Sequence, residues 1–470
     1  MSAAIKPYGI HWFRRDLRLE GNGALEWNVA RHEGRVLGLF CFDRVFLARP
    51  DFSPARFAFF LRTLQALRAD LRRAGGDLLC LDRGPDEAFA RLLRDLGARG
   101  PAAVSFCRDY EPFALDRDAR LQELLERKHG LLVQTERDHL LIEPPELLKP
   151  DRKSPYYQVF TPFRNRWLKL AHEPDFASRW DRSWRVPKLR LRWSEVLPTA
   201  HRLDVLDRYV KNVRCEIPLP EAGHAAAFAR LSEFRKKLGA YGKQRDFPAV
   251  AGTSQLSIYF KNGSLTVPEA ICRLDLDPKP AKNPDRFLTE LIWREFYYHL
   301  LAHFPRVESE AFVRRYNKIR WSDNERWFRA WCEGRTGFPI VDAGMRQLNQ
   351  TGWMHNRVRM IVASFLVKDL HINWQWGERY FMQKLLDGDL APNNGGWQWA
   401  ASTGSDPVPY FRVFNPTLQS RKFDPSGEYI RRWVPELSGL DKREIHEPRH
   451  PIVDHAAQKE KAIAMFRHFR

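Results

Sequence analysis

Residues 336–400 read TGFPIVDAGMRQLNQTGWMHNRVRMIVASFLVKDLHINWQWGERYFMQKLLDGDLAPNNGGWQWA, and they decide the fold of the second half of the chain. Apolar residues recur here with helical spacing, and tryptophans are interleaved with arginines, asparagines and paired carboxylates. Core helices seldom combine so many indoles with so many guanidiniums. Because aromatic faces stack on flat groups and guanidiniums bind phosphates, the pattern predicts helices around a pocket for a flat aromatic cofactor and a nucleic-acid strand.

The charge of the whole chain also indicates a nucleic-acid partner. The 470 residues include 77 Lys and Arg against 58 Asp and Glu, which gives a formal net charge of +19. Such an excess attracts polyanions and predicts an association that weakens as salt rises. A generically basic protein is the alternative on charge alone.

The cysteines and the apolar segments indicate the compartment. The six cysteines lie far apart and form no CxxC pair, which argues against structural zinc and against a disulfide framework. The first residues lack the apolar region of a secretory signal. The longest apolar run, residues 36–42, is far too short for a bilayer span of ~20 residues. We therefore expect a soluble, intracellular protein without a bound metal.

Residues 1–135 alternate between strand-like and helical segments. The apolar runs that predict strands are residues 9–13, 36–42, 78–81, 102–106 and 131–134. Helical patterns lie between them, such as residues 54–74, with Ser53 as the N-cap and Gly75 as the stop. Buried strands separated by helices predict a parallel, Rossmann-like α/β domain. The first strand leads into RRDLR rather than GxGxxG, so we expect no nicotinamide dinucleotide site there.

The remaining chain divides into a connection and a helical region. Over residues 136–221 prolines accumulate and periodicity fades, which predicts a long interdomain linker with short helical pieces such as residues 161–172. Helical periodicity dominates residues 222–470, so we predict an all-α domain there.

Two helices of this domain each present a mixed aromatic and charged face. One face carries a carboxylate, an indole, a guanidinium and a phenol at positions i, i+3, i+4 and i+7: Glu290, Trp293, Arg294 and Tyr297. The other repeats the spacing with Trp353, Asn356, Arg357 and Met360. Facing each other, these helices would enclose a chamber suited to flipped-out bases, with arginines at its rim. Core packing with ordinary ion pairs is the alternative.

At these residues the chain resembles the photolyase/cryptochrome family, and within it the class I cyclobutane pyrimidine dimer photolyases. The motifs that carry the resemblance occur in order along nearly the whole chain: HWFRRDLRLEGNGAL, VFTPFRNRW, YGKQRDFPAVAGTSQLS, ELIWREFYYHL, TGFPIVDAGMRQL, TGWMHNRVRM, LLDGDLAPNNGGWQWAASTGSDPVPYFRVFNP, KFDPSGEYIRRWVPEL and PIVDH. The resemblance implies an α/β antenna domain, a linker and an all-α domain that binds FAD.

The resemblance also implies which residues bind the cofactor. The expected FAD ligands are Tyr241, Thr253, Ser254, Gln255, Leu256, Ser257, Arg359, Asp387, Gly388, Asp389 and Asn393. Arg359 and Asp387 match an ion pair beside the flavin ring, and a buried carboxylate such as Asp387 requires a cation on physical grounds too. Asn393 matches the asparagine that faces the flavin N5.

Further matches concern electron transfer and DNA. Trp397, Trp374 and Trp321 match the triad that photoreduces the flavin. The expected lesion-pocket residues are Glu290, Trp293, Asn356, Met360 and Trp399, and the expected contacts to the DNA strand are Arg245, Arg294, Arg357 and Gln419. The implied reaction passes an electron from light-excited reduced FAD to a cyclobutane pyrimidine dimer in UV-damaged DNA. The implied protein is a monomer in the cytoplasm, associated with the nucleoid.

The sequence separates this reaction from three alternatives. Relatives that repair (6-4) photoproducts carry paired histidines where this chain has WMHN at residues 353–356, and Asn356 cannot act as a general acid, which favours the cyclobutane dimer. Signalling cryptochromes often add a long C-terminal extension, whereas this chain ends at Arg470. A non-photochemical helical binder of nucleic acid would explain the charge and the indoles but not the flavin-matching segments.

The identity of an antenna chromophore stays open. The Cys-Lys pair of folate-using relatives is replaced here by residues 307–309 (VES), and their asparagine with an acidic pair by Cys107-Arg108-Asp109. A folate is therefore not expected, and a deazaflavin, a second flavin and an empty site are the alternatives. We interpret Cys107 and Arg108 as structural residues.

Overall fold

A computed structural model describes residues 6–151, 153–281 and 285–469 of the chain. The predicted domain limits at residues 1 and 470 lie outside these ranges. Five strands form one parallel sheet in the order β3-β2-β1-β4-β5. Their bounds are β1 Gly9–Trp12, β2 Val36–Cys41, β3 Leu78–Leu81, β4 Ala103–Cys107 and β5 Leu132–Glu136. The prediction of a parallel α/β domain is confirmed.

Helices cover both faces of this sheet. Their bounds are α1 Gly23–Arg31, α2 Arg44–Leu47, α3 Pro54–Arg73, α4 Pro85–Leu96 and α5 Pro112–Glu123. The apolar side of α3 packs into one core, and α4 and α5 pack into the core on the opposite face. Strands β1 to β4 are buried along their whole length, which explains why they read as continuous apolar runs.

Helix α3 shows how local sequence sets an element. The Ser53 side chain accepts a hydrogen bond from the Arg56 amide at 3.2 Å, and Pro54 occupies the first turn, where its missing N–H costs nothing. Gly75 ends the helix with a φ of 96°, a left-handed value that glycine adopts without strain. The predicted limits of this helix are confirmed closely.

The linker is ordered around five short helices. Their bounds are α6 Phe160–Ala171, α7 Pro174–Ala177, α8 Trp193–Val196, α9 Ala200–Leu203 and α10 Leu206–Asn212. The linker touches both domains. The Trp167 indole donates to the Glu295 carboxylate of the helical domain at 2.6 Å, and the Arg190 amide donates to the Gly34 carbonyl beside the sheet at 2.8 Å. These contacts fix the long connection to both domains.

The remaining described chain is predominantly helical, as predicted. The helix bounds are α11 His224–Arg235, α12 Leu238–Gln244, α13 Ser257–Asn262, α14 Val267–Arg273, α15 Arg286–His303, α16 Glu325–Cys332, α17 Pro339–Thr351, α18 Asn356–Lys368, α19 Trp374–Lys384, α20 Leu390–Ala401, α21 Pro416–Phe423, α22 Glu428–Trp433 and α23 His455–Arg467. Helix α20 packs against both α15 and α18, so it lies at the centre of this domain. Among the described residues, none of the helices combines the length and apolar character that a membrane span requires.

The loop after β1 joins the sheet to the helical domain. The Leu17 amide donates to the Asn262 carbonyl at 3.2 Å. Gly263 follows with a φ of 72°, and a Cβ atom at this position would come within 1.9 Å of the Arg15 carbonyl oxygen. Only glycine permits this approach. The RRDLR motif therefore serves as a domain contact.

Candidate functional site

A small cavity lies between α15 and α20, and its lining combines aromatic, aliphatic and polar residues. Trp293 and Tyr297 form the wall on α15, and Trp399 and Asn394 form the wall on α20. Asp406, in the loop after α20, adds a carboxylate to the lining. Three residues that the sequence predicted for the DNA site, Trp293, Tyr297 and Trp399, are thus brought together.

The second wall of this cavity differs from the predicted one. We expected α18 to face α15, but α20 packs between them, and in the described part of the chain no α18 residue lines the cavity. On α18, Asn356 is exposed and Met360 is half-buried, and Trp353 before it is also half-buried. The first predicted face lies on one helix, α15, but the second was wrong in part, because Trp353 precedes α18 and cannot share a helical face with Asn356 and Met360. Helical spacing also could not say which helix each face meets.

Phe160 supports the cavity wall from the linker. Its ring stacks on the Trp293 indole with centroids 3.5 Å apart and planes inclined by 6°. The ring of Tyr297 continues this aromatic surface, 5.6 Å from Trp293. The Phe160 amide donates to the Asp406 carboxylate at 3.0 Å, which fixes the start of α6 beside the cavity. The sequence analysis missed Phe160, although it lies in the family motif VFTPFRNRW.

Two ion pairs join α15 and α18 through consecutive residues. Arg245 donates to the Glu290 carboxylate of α15, and Arg357 of α18 donates to the Asp246 carboxylate at 2.8 Å. The Arg245 guanidinium also lies over the Tyr241 ring, 5.3 Å from its centroid. Four predicted residues, from the cofactor set and the DNA set, are therefore neighbours. Two of the three predicted DNA-contact arginines, Arg245 and Arg357, are therefore paired with carboxylates of this chain.

The ion pair predicted between Arg359 and Asp387 is present. One Arg359 nitrogen lies 2.8 and 3.1 Å from the two carboxylate oxygens, and its Nε donates to the Met354 carbonyl at 2.8 Å. The Ser257 hydroxyl donates to the same carboxylate at 2.6 Å. The Asp387 side chain is only 4% exposed, so a nearby cation offsets the cost of burying its charge.

The loop before α13 carries the other predicted cofactor ligands. Thr253 and Ser254 are half-buried, Gln255 is exposed, and Leu256 is fully buried and anchors the loop. The Ser254 hydroxyl accepts from the Leu256 amide at 3.3 Å, and Gln255 has a φ of 53°. This left-handed residue reverses the chain just before the helix, where amides and hydroxyls can bind an anion.

Asp389, a predicted cofactor ligand, makes interdomain contacts that the sequence analysis missed. Its carboxylate accepts from the Tyr298 hydroxyl at 2.7 Å, from Arg15 at 3.1 Å and from Lys261 at 3.2 Å. Burial alone would raise the pKa of the Asp389 carboxyl, but the charges of Lys261, Arg15 and Arg294 hold it well below its usual range. Its side chain therefore joins the α/β domain to the helical domain. Gly388 beside it lies against the Arg56 guanidinium.

Arg294 also differs from its predicted position at the rim. Its side chain is 11% exposed and turns inward, with one nitrogen 3.6 Å from the Asp389 carboxylate. It donates to the His139 carbonyl at 3.1 Å and lies over the Tyr298 ring. The buried negative charge of Asp389 explains this orientation, so Arg294 stabilises the domain contact.

Asn393 and Asn394 both contact one buried acid. The Asn393 amide donates to the Glu378 carbonyl at 3.1 Å, and the Asn394 amide donates to the Glu378 carboxyl at 2.9 Å. Burial raises the pKa of Glu378 to about 8, so this side chain is mostly protonated near neutral pH. The backbone contact fixes the orientation of the predicted flavin-facing asparagine.

The three tryptophans of the predicted triad occupy different depths. Trp397 and Trp374 are buried in one core of the helical domain. Trp321 is half-buried, and its ring contacts Phe466 of α23 with centroids 6.1 Å apart. Of the three, Trp321 alone is partly exposed, while Trp397 and Trp374 are buried to the same degree.

Unpartnered polar atoms test whether the residues present fit a bound flavin. His355 caps α18 and is 1% exposed, and its Nδ1 accepts from the Arg357 amide at 3.1 Å, while its Nε2 has no partner. The Trp397 indole N–H is also buried without a partner. Together with the Arg359–Asp387 pair and the hydroxyl-bearing loop, these groups fit a flat ligand that carries both polar ring atoms and phosphates.

Gln419, a predicted DNA contact, and Cys107 and Arg108, predicted structural residues, lie in different parts of the chain. Gln419 on α21 is half-buried, and its amide oxygen has no partner. In the α/β domain Arg108 donates to the Glu143 carboxylate at 2.7 and 2.8 Å, and Cys107 is buried, in agreement with structural roles.

Comparisons with known proteins agree with this arrangement. Residues 9–179 match the family model described as DNA photolyase, and residues 287–468 match the FAD binding domain of DNA photolyase. A deoxyribodipyrimidine photo-lyase of Salmonella typhimurium is 40% identical over 94% of this chain and 92% of its own length. The Escherichia coli protein of the same name is 38% identical over 97% of both chains.

Solved structures show the same fold. A bacterial class III photolyase from Agrobacterium tumefaciens superposes with a TM-score of 0.87 at 34% identity, covering 100% of this chain and 99% of the other. An archaeal photolyase from Sulfolobus tokodaii, described as holding two FAD molecules, gives 0.82 at 32% identity over 98% and 99%. From its ordered motifs, its fold and these full-length matches, the chain belongs to the DNA photolyase family.

Proposed function

We propose that this protein splits cyclobutane pyrimidine dimers in UV-damaged DNA in a light-dependent reaction with FAD as its cofactor. The observation that carries the proposal is the aromatic surface of Trp293, Tyr297 and Trp399 between α15 and α20, in the domain that also holds the buried Arg359–Asp387 pair. The names of the full-length relatives support the same reaction. The proposed domains are an antenna domain at residues 1–135, a linker at 136–221 and a catalytic domain at 222–470.

The cofactor would be held by groups that are already preorganised. Arg359 and Asp387 would bind the polar edge of the flavin ring, and Tyr241, Ser254 and Ser257 would bind the phosphates through hydroxyls and backbone amides. Bound reduced FAD, when excited by light, supplies the electron that opens the cyclobutane ring. Asn393, held by the Glu378 carbonyl, would present its amide to the cofactor.

The cavity walls would bind the lesion by stacking and by excluding water. One face of Trp293 is covered by Phe160, so the indole is held rigidly and offers its other face to the damaged bases. Trp399 would close the opposite side. A dry aromatic site strengthens every polar contact made inside it, including hydrogen bonds to the thymine edges.

Glu290 and Arg245 would change partners when DNA binds. In the free protein the two side chains neutralise each other. Glu290 would accept a hydrogen bond from a thymine N–H and release Arg245, whose guanidinium would then bind a backbone phosphate. The same exchange is proposed for Arg357 and Asp246. Lesion recognition and phosphate binding would thus be coupled.

The choice of lesion rests on residues 353–356, where relatives that repair (6-4) photoproducts carry paired histidines. Repair of a (6-4) photoproduct needs an acid, whereas Asn356 and Met360 do not titrate near neutral pH. His355 lies beside them, but burial lowers its pKa to about 4, so the ring is neutral at pH 7. The dimer, whose splitting needs an electron rather than a proton, is the better substrate.

The remaining features of the proposal concern partners and light harvesting. The partner is UV-damaged DNA, single- or double-stranded, and we propose a monomer that acts in the cytoplasm close to the nucleoid. A second chromophore in the α/β domain is proposed without an identity: a deazaflavin and a flavin are both candidates, and a folate is not expected.

A repair assay tests this function. Protein reconstituted with FAD and reduced is mixed with an oligonucleotide that carries one cyclobutane dimer, and half of the sample is illuminated with blue light. We expect dimer loss only in the illuminated half, and no loss of a (6-4) photoproduct in a parallel sample. A protein that binds FAD but leaves the dimer intact in light would contradict the proposal.

A further inference from the structure

A short extended segment of the linker carries a row of positive side chains on its outer side. Lys188, Arg190 and Arg192 are exposed, whereas the leucines between them, Leu189 and Leu191, are buried. This alternation with a period of two is typical of an extended chain that packs one side on a core. Neighbouring side chains on one side of such a chain lie roughly 6–7 Å apart. The three cations therefore form a closely spaced row.

Two backbone hydrogen bonds fix this segment against the α/β domain. The Leu189 amide donates to the Ala74 carbonyl, and the Arg190 amide donates to the Gly34 carbonyl, both at 2.8 Å. A Cβ atom on Gly34 would come within 2.7 Å of the Lys188 carbonyl oxygen, so only glycine admits the segment here. The row is thus held at a defined place on the surface.

The row crosses the edge of the sheet at which the strands begin. Gly34 lies just before β2, and Ala74 lies between α3 and β3. All five strands are parallel, so their amino ends share one edge and their carboxyl ends the other. Arg15, which contacts Asp389 at the start of α20, follows the carboxyl end of β1. The row and the contact with the cavity-bearing helix therefore lie at opposite edges of the sheet.

Two further arginines add positive charge beside the row. Arg35 directly follows Gly34 and precedes β2, and its buried Nε has no partner. Arg31 is exposed at the end of α1, with its guanidinium over the Trp27 ring, 5.6 Å from the centroid. These two arginines and the row together are called the basic edge, which consists of Arg31, Arg35, Lys188, Arg190 and Arg192.

Within the described part of the chain, no cation of the basic edge forms an ion pair. Exposed arginines elsewhere in the domain do so, as Arg44 does with Asp82 at 3.0 Å. The carboxylates of the same segments are Glu33 and Glu195, and Glu195 accepts from the backbone amide of Arg192 rather than from its guanidinium. Cations that no carboxylate of their own chain neutralises are available to neutralise phosphates.

We propose that the basic edge binds the sugar–phosphate backbone of a second duplex DNA segment while the cavity holds the first. Such binding neutralises phosphates and releases counterions whatever the base sequence. A protein with two DNA surfaces passes directly from one segment to another without first becoming free in solution, which speeds the search for a rare lesion. The inference rests on the proposed function only for the identity of the polyanion.

Energy transfer between two labelled duplexes tests the proposal. The FAD-loaded protein is saturated in darkness with a dimer-containing duplex that carries a donor, and an undamaged duplex that carries an acceptor is added. The edge variant neutralises the row: Lys188→Gln, Arg190→Gln and Arg192→Gln. A charge-conserving variant exchanges lysine and arginine at the same positions. The matched control neutralises three exposed cations around α23 that are also unpaired within the described residues: Lys318→Gln, Lys461→Gln and Arg467→Gln.

We expect energy transfer in the wild type, in the matched control and in the charge-conserving variant. In the edge variant the affinity for the second duplex should fall by about tenfold or more, and its slope against the logarithm of the salt concentration should become shallower by about three. Affinity for the dimer-containing duplex and its repair in light should stay unchanged. Each variant is checked for bound FAD and for its circular dichroism.

Three results would overturn the proposal. These are the absence of a complex of the wild type with both duplexes, equal affinity of the wild type and the edge variant for the second duplex, and binding of anionic lipid vesicles in place of the second duplex. If the second duplex binds through the basic edge but the dimer survives illumination, the proposed function fails and the second DNA surface stands.

Dissociation rates give an independent readout. The rate at which the protein leaves a labelled undamaged duplex is measured at increasing concentrations of unlabelled duplex. Direct passage between segments makes this rate rise with the competitor, whereas release into solution does not depend on it. We expect a rising rate in the wild type and in the matched control, and a constant rate in the edge variant. A rate that is independent of competitor in the wild type would contradict the proposal.

Discussion

Replacing Trp293 by alanine should remove the preference for damaged DNA while leaving general DNA binding almost intact. In the structure one face of this indole is occupied by Phe160 at 3.5 Å, so only the other face is free for the lesion. Stacking of one base on an aromatic side chain is worth ~1–3 kcal/mol, which corresponds to about 5- to 150-fold in affinity. Backbone contacts through Arg245 and Arg357 do not depend on Trp293 and supply the sequence-independent part of binding.

The assay compares two duplexes of one sequence, with and without a single dimer. Dissociation constants are measured in darkness, so that no repair occurs, and at one salt concentration. The preference for damaged DNA is the dissociation constant of the undamaged duplex divided by that of the damaged duplex. We expect this preference to fall by about 5- to 150-fold in Trp293→Ala and to be largely retained in Trp293→Phe. Trp433→Ala, which removes a half-buried indole of α22 away from the cavity lining, is the matched control.

Two results would refute this reasoning. If Trp293→Ala weakened both duplexes equally, the indole would stabilise the protein generally rather than bind the lesion. If neither constant changed, the cavity between α15 and α20 would not be the lesion site.

Three further variants extend the test. Arg359→Gln should raise the dissociation constant of FAD by about 10- to 150-fold, since a charged hydrogen bond from the guanidinium to the cofactor is worth ~1.5–3 kcal/mol. Fluorescence titration of the apoprotein measures this constant, and an unchanged constant would contradict the proposed role. Asp246→Asn frees Arg357, so the affinity for undamaged duplex should rise. The slope of the logarithm of the binding constant against the logarithm of the salt concentration should steepen by about one. An unchanged slope would contradict the proposed exchange of partners between Asp246 and a DNA phosphate. Lys368→Met should raise the free energy of unfolding at pH 7 by ~2 kcal/mol. Burial of the lysine is unfavourable and lowers its pKa to about 7. The contact of its ammonium group with the Phe466 ring offsets part of the free energy that this burial costs. The unfolded chain binds more protons between pH 7 and pH 10, so the wild type gains stability over that interval and the advantage of the variant should shrink; a constant difference in urea unfolding would show that Lys368 does not titrate as described.

Local sequence predicted the elements of the fold well. Buried strands read as apolar runs, and helix α3 was bounded correctly by Ser53 and Gly75, because caps and stops act within a few residues. The helical face that carries Glu290, Trp293 and Tyr297 was likewise correct, since i, i+3 and i+4 spacing is a property of one helix.

The partners of these faces could not be predicted, because they come from distant segments. Nothing in the local pattern says that Phe160 of the linker stacks on Trp293, or that α20 lies between α15 and α18. Arg294 was expected at the rim, but the buried Asp389 attracts it inward. The other cations around Asp389 also come from distant segments. Arg15 precedes it by 374 residues and Lys261 by 128 residues.

The lifetime of flavin fluorescence tests most directly whether lesion and cofactor share one chamber. Reduced FAD in the reconstituted protein is excited in the presence of dimer-containing DNA, of undamaged DNA and of no DNA. Electron transfer to an adjacent dimer competes with emission. We therefore predict that the fluorescence lifetime is shortened by dimer-containing DNA and by neither of the other two samples. In Trp293→Ala, at DNA concentrations that saturate the wild type, the lifetime should return to its value without DNA. Identical lifetimes in all three samples, with binding verified, would mean that the lesion rests elsewhere.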